Sequence, residues 1–152
     1  MSHVMQAVDE QIALNAFYHA TYGNLPVGGV VEHWGVGDGY SAGFVDSLRP
    51  EGMDFRRGHF FMTEDPECLP RLGRSDSNLK LYEVSPVDAA GPFNYAWLNR
   101  LSWMNPPTRE DIDSVRSYWS KKKHPDVCGE EYIAKSMRVD RYLGSLGDTL
   151  GW

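Results

Sequence analysis

The sequence predicts an α+β fold built as a single domain, 1–152. Three observations carry this. Strand-like apolar segments outnumber helical ones, the helices fall between strands without regular alternation, and no linker, repeat or low-complexity stretch divides the 152 residues. A chain of this length buries roughly two-thirds of its unfolded surface, enough for a core without covalent staples.

Residues 4–15 place Val4, Val8 and Ile12 at helical spacing and predict a leading helix. "AFYHAT" (16–21) and "GGVVEHW" (28–34) read as strands, joined through "YGNLPVGG" (22–29), whose glycines and proline demand a turn. "GHFFMT" (58–63) is a third strand, "EDPECLPRLG" (64–73) a short helix or turn, and the alternating "NLKLYEVSP" (78–86) a fourth strand. The clearest helix spans 108–122. Thr108 is its N-cap with Asp111 three residues on, and Ile112, Val115, Tyr118 and Trp119 form one face. Lys121 to Lys123 suit the negative helix C-terminus, and Pro125 ends the helix. Residues 130–144, "EEYIAKSMRVDRYLG", make a long strand or a bent pair of strands.

Composition narrows the function. Net charge is −6, which argues against passive charge-driven binding to nucleic acid. Arg56–Arg57 and "KKKH" (121–124) are local basic spots that ordinarily mark solvated surface. Cys68 and Cys128 lack CxxC spacing, so reduced thiols are expected. No apolar run approaches the ~18 residues of a membrane span, and "MSHVMQAVDEQ" lacks the apolar core of a signal peptide. A cytoplasmic protein without a membrane partner is the expectation.

Three kinds of chemistry can be weighed and set aside. "GVGDGYSA" satisfies GxGxxG/A through Gly37, Gly39 and Ala42, but the helix after it would be only "SAGFVDSL", and no βαβ unit follows. It reads as a loop that can flank a ligand site. His3, His19, His33, His59, His124, Cys68 and Cys128 supply metal-ligand types, yet only His124 and Cys128 are close in sequence, so no metal is expected. No GxSxG elbow is present, and Cys68 has no basic neighbour to lower its pKa.

A fourth pattern is distributed along the chain: His19 in an N-terminal strand, an aromatic pair in "GHFFMT", and a glutamate opening the strand "EEYIAKSMRV". Alone, a histidine in an apolar run is ordinarily a satisfied core residue, and paired phenylalanines are ordinarily core. Their order resembles the ADP-ribosyltransferase superfamily. "FYHAT" with "YGNLPVGGVV" looks like the opening of the rifamycin ADP-ribosyltransferases, and "GHFFMTED" like their tyrosine-bearing strand. "EEYIAKSMRV" is similar to the glutamate strand of mono-ADP-ribosyltransferase toxins. "RSYW", "EEYI" and "MRVDRYLG", in that order, resemble a bacterial domain family of unassigned function with this fold. The resemblance runs from 16 to 144 through short matches.

It implies two packed, mostly antiparallel sheets with inserted helices, and NAD as substrate without a metal. The implied catalytic residue is Glu131, bonding the ribose 2′-OH and stabilising the oxocarbenium-like transition state. The NAD-binding residues would be His19 on a ribose hydroxyl, the Ala20 backbone on the carboxamide, Thr21 in support, and Phe61 stacked on nicotinamide. Arg56 or Arg57 would meet the pyrophosphate. The chain departs from the pattern at Ala20, where glycine usually follows the histidine, and at Phe61, where tyrosine is expected. It departs again at Gly129, two before Glu131, where the toxins carry an acceptor-directing acidic residue or glutamine. Arginine modification is therefore not implied. The rifamycin enzymes use an aspartate after the fourth strand, where "GPFNYAW" offers only Asn94. The implied activity is a bacterial or phage-related effector transferring ADP-ribose to a nucleic-acid base, a non-arginine protein side chain or a small molecule. An inhibitor or antitoxin protein is a possible partner. The alternatives are a catalytically inactive binding module and a NAD glycohydrolase.

Overall fold

In this computed structural model, which describes residues 16–33, 40–53 and 56–152, seven strands form two antiparallel sheets. The first has the order β1 (Phe17–Thr21), β4 (Lys80–Val87), β7 (Ser136–Ser145), β2 (Val30–Glu32). The second has the order β3 (Phe60–Met62), β6 (Glu130–Ala134), β5 (Ala90–Asn94). Helices α1 (Tyr40–Ser47), α2 (Ala96–Asn99), α3 (Arg109–Trp119) and α4 (Leu146–Leu150) complete a small α+β domain.

Two features join the sheets. Lys135 alone separates β6 from β7, so the predicted bent pair of strands crosses from one sheet to the other. At the edge of β1, Tyr18 exchanges both backbone hydrogen bonds with Thr63, at 2.7 and 3.0 Å. Met62, Val84, Ala134, Met137 and Val139 fill the space between the sheets.

Helix α3 has the predicted capping box: Thr108 Oγ1 accepts from the Asp111 N–H, and the Asp111 carboxylate accepts from the Thr108 N–H. Val115, Tyr118 and Trp119 pack on Phe93 and Ile133 of the second sheet. The Phe93 and Tyr118 rings stack with centroids 5.0 Å apart. The helix stops at Trp119, short of the predicted 122. Lys121 adopts φ 60, and the Lys122 N–H turns back onto the Ser117 carbonyl, so the lysines lie beyond the last helical turn.

Three local features depart from the expectations or add to them. Tyr40, Ser41 and Ala42, read as the end of a loop, instead open α1, while the helix expected in "SAGFVDSL" forms: Phe44, Val45 and Leu48 pack on the α3 cluster and Trp119 Nε1 donates to the Val45 carbonyl at 2.8 Å. β5, for which no strand was expected, forms through Gly91 and Pro92. Gly91, at φ 139, lies so close to β6 that a Cβ would sit 2.9 Å from the Glu131 carbonyl. Cys68 and Cys128 are joined in a disulfide, not reduced: the 3₁₀ turns Pro66–Leu72 and Val127–Gly129 meet in space although sixty positions separate the cysteines. The predicted leading helix at 4–15 and the glycines at 35–39 lie outside the described residues. No helix among the described residues is long and apolar enough to cross a membrane.

Candidate functional site: two neighbouring cavities

Glu131 sits near the start of β6 opposite Phe93 of β5, and its side chain points inward with that of Ile133. It is 1% exposed. Its carboxylate is held by Arg56, whose Nη2 donates to Oε1 at 2.9 Å and reaches Oε2 at 3.4 Å. The Tyr118 hydroxyl accepts from Arg56 Nε at 3.0 Å and donates to Glu131 Oε1 at 3.1 Å. Oε1 thus carries two donors and Oε2 one long contact. The Arg56 guanidinium lies over Phe61, 4.3 Å from the ring centroid, with Tyr95 and Tyr118 at 5.4 and 5.5 Å. Asp46 of α1 accepts the Arg56 backbone N–H at 2.5 Å and anchors the 3₁₀ turn Arg56–Gly58. Burial opposes the charge on Arg56, and Glu131 with Tyr118 more than offsets it, so its pKa is raised. Burial, then the Glu131 charge, raises the Tyr118 phenol well above its ordinary value. A neutral phenol between a guanidinium and a carboxylate is the consistent state.

Arg56 and Glu131 form one wall of a cavity of about 220 Å³, closed by Phe61, Tyr95, Leu69 and Arg74. A second cavity, about 300 Å³, holds His19, Ala20, Thr21, His33 and His59 and shares Phe61 and Arg74 with the first. The second reaches the lower end of the ~300–1,000 Å³ of small-molecule sites.

His19 Nδ1 is 2.7 Å from the Phe61 carbonyl, which can only accept, so Nδ1 carries the proton. Burial first, opposed by that hydrogen bond and reinforced by Arg74 and His33, lowers the His19 pKa to about 4. The ring is neutral near pH 7, leaving Nε2 as an acceptor. Strand alternation fixes the next feature. The Tyr18 N–H and C=O point away from β4 to reach Thr63, so those of Ala20, two residues on, point away from β4 as well. The edge of β1 therefore offers a donor and an acceptor beside His19. His33 Nδ1 is buried in the same wall without a hydrogen-bond partner, its ring edge-on to Phe60.

The residues expected at the site divide as follows. His19, Ala20, Thr21 and Phe61 share the second cavity, Glu131 lines the first, and Phe61 belongs to both. Arg56 is committed to Glu131 and does not offer itself to a pyrophosphate. The Arg57 side chain lies outside the described residues. Asn94 is structural: it donates to the Asp126 carbonyl at 2.7 Å and accepts the Ala96 N–H at 2.9 Å. A Cβ at Gly129 would run into Asn94 Oδ1, so the position two before Glu131 admits only glycine in this packing. Sequence reasoning passed over Arg74. It follows the left-handed Gly73 cap of the 3₁₀ turn Pro66–Leu72 and forms no ion pair among the described residues. Among the described residues no group of three or more His, Cys, Asp or Glu side chains has the geometry to hold a metal ion.

No family model matches the chain, and neither a curated protein nor a solved structure gives a match.

Proposed function

We propose that the protein is a NAD-dependent ADP-ribosyltransferase that breaks the nicotinamide glycosidic bond and passes ADP-ribose to an acceptor other than arginine. One observation carries this reading: His19, Phe61 and Glu131, from three strands in two sheets, line two cavities that share Phe61 and Arg74 as lining residues. In the reading, the Ala20 backbone pair holds the nicotinamide carboxamide, Phe61 stacks on the ring, and His19 Nε2 accepts a ribose hydroxyl. Arg74 takes the diphosphate charge. Glu131 Oε2 accepts the 2′-OH and stabilises positive charge on the ribose as the C–N bond breaks, an electrostatic contribution commonly worth ~3 kcal/mol. Nicotinamide leaves neutral with the bonding pair, and the acceptor forms the new bond and gives up its proton. The nucleic-acid base, protein side chain and small-molecule acceptors all fit a site whose acceptor-directing position is Gly129.

A second reading has its own support. The Glu131 side chain is 2% exposed and bridged by Arg56, as expected of a binding module that holds NAD without turnover. Purified protein is incubated with labelled NAD, alone and with separated protein, DNA and RNA fractions. Release of nicotinamide only with an acceptor fraction supports transfer, and release without one supports hydrolysis. Binding without release supports the module, and absence of binding refutes both readings. A cytoplasmic site of action belongs to the same proposal, since NAD must be at hand. The Cys68–Cys128 bond stands against it, because such bonds persist in oxidising compartments. A free-thiol assay on protein taken directly from cells decides.

A further inference from the structure

The geometry points to Arg56 as a built-in competitor for the site: its guanidinium occupies the place between Phe61 and Glu131 that a bound planar cation would take. The inference rests on the NAD reading above. Two features would recognise the positively charged pyridinium ring of NAD: an aromatic face and a carboxylate. Arg56 engages both. Its planar, delocalised cation lies 4.3 Å above Phe61, pairs with Glu131 at 2.9 Å, and is edged by Tyr95 and Tyr118. A pyridinium approaching Phe61 meets a like charge on the ring it would stack upon, and the carboxylate it requires is already neutralised. The resting site is therefore self-occupied. Turnover requires the guanidinium to leave Glu131 while its backbone stays anchored to Asp46. Arg56 sets how much ligand binding energy is spent on opening the site, and so acts on affinity rather than on the chemical step.

The test uses the wild-type chain. Nitrogen-detected spectra observe Arg56 Nε–H, which the Tyr118 hydroxyl holds at 3.0 Å and which should exchange slowly in the free protein. Saturating NAD is expected to shift that signal and abolish its protection. A His19 ring that responds to NAD while Arg56 stays protected overturns the inference and leaves the NAD reading standing. If neither responds, both fall. Arg56→Gln keeps a neutral donor beside Glu131 and removes the cation. With folding verified by its melting transition, it is expected to bind NAD about tenfold more tightly. Equal or weaker binding overturns the inference.

Discussion

Glu131→Gln is the substitution an enzymologist would make first, and the packing around it changes what the result means. The variant removes a carboxylate that is 1% exposed and leaves the Arg56 guanidinium buried beside a neutral amide. Breaking one partner of a buried ion pair costs about 3–5 kcal/mol. In a chain of this size each kcal/mol moves the melting midpoint by about 2–4 °C, so a fall of roughly 10 °C is expected. The variant is therefore not expected to fold with wild-type stability, as a purely catalytic residue would allow. Arg56→Met alone should cost a similar amount, whereas the double variant should recover most of the loss, giving a coupling of about 3 kcal/mol or more. Calorimetric or circular-dichroism melts of the four proteins measure it. A single variant that melts with the wild type, or two losses that simply add, would refute the buried pair. The double variant also separates stability from chemistry, since it should fold and still release no nicotinamide.

Three further outcomes are expected. His19 is neutral in the folded state, with its pKa lowered from 6.5 to about 4, so the unfolded chain takes up a proton that the folded chain refuses between those values. Its contribution is intact above pH 6.5 and is lost as pH falls toward 4, by roughly 3 kcal/mol in all; urea unfolding across that window should show this slope, and His19→Gln should remove it. Replacing Cys68 and Cys128 by serine opens a loop of sixty positions, worth about 4 kcal/mol in the chain-entropy account, and denaturant midpoints check it. Arg74→Ala should weaken NAD binding about tenfold and flatten its salt dependence while leaving nicotinamide binding unchanged; equal NAD affinity by calorimetry would remove the diphosphate assignment.

Local signals were legible where short-range chemistry decides the structure. The Thr108–Asp111 capping box, the glycine-proline turn before β2 and the strand β4 depend on neighbours in sequence, and each stands where it was expected, although β4 buries the adjacent Leu81 and Tyr82 instead of alternating strictly. Long-range partners were not legible. Arg56 looked like a solvated basic spot because its partner is 75 positions away, and nothing around residue 56 announces three aromatic rings. β5 contradicts its own propensities, forming at Gly91–Pro92 because only a residue without Cβ fits against β6. One signal was present in the sequence: Glu131 shares strand parity with Ile133, which places the carboxylate on the core side of β6 beside a hydrophobic neighbour. A charged residue on an apolar face requires a buried partner, but nothing in the sequence says which residue supplies it.

The cleft is tested most directly by hydrogen–deuterium exchange of the whole chain with and without saturating NAD. Protection should concentrate on β1 around Ala20, on β3 around Phe61, on the Gly73–Arg74 turn and on the start of β6. Protection elsewhere, or none at NAD concentrations that saturate binding, would contradict the assignment of these strands to a nucleotide site.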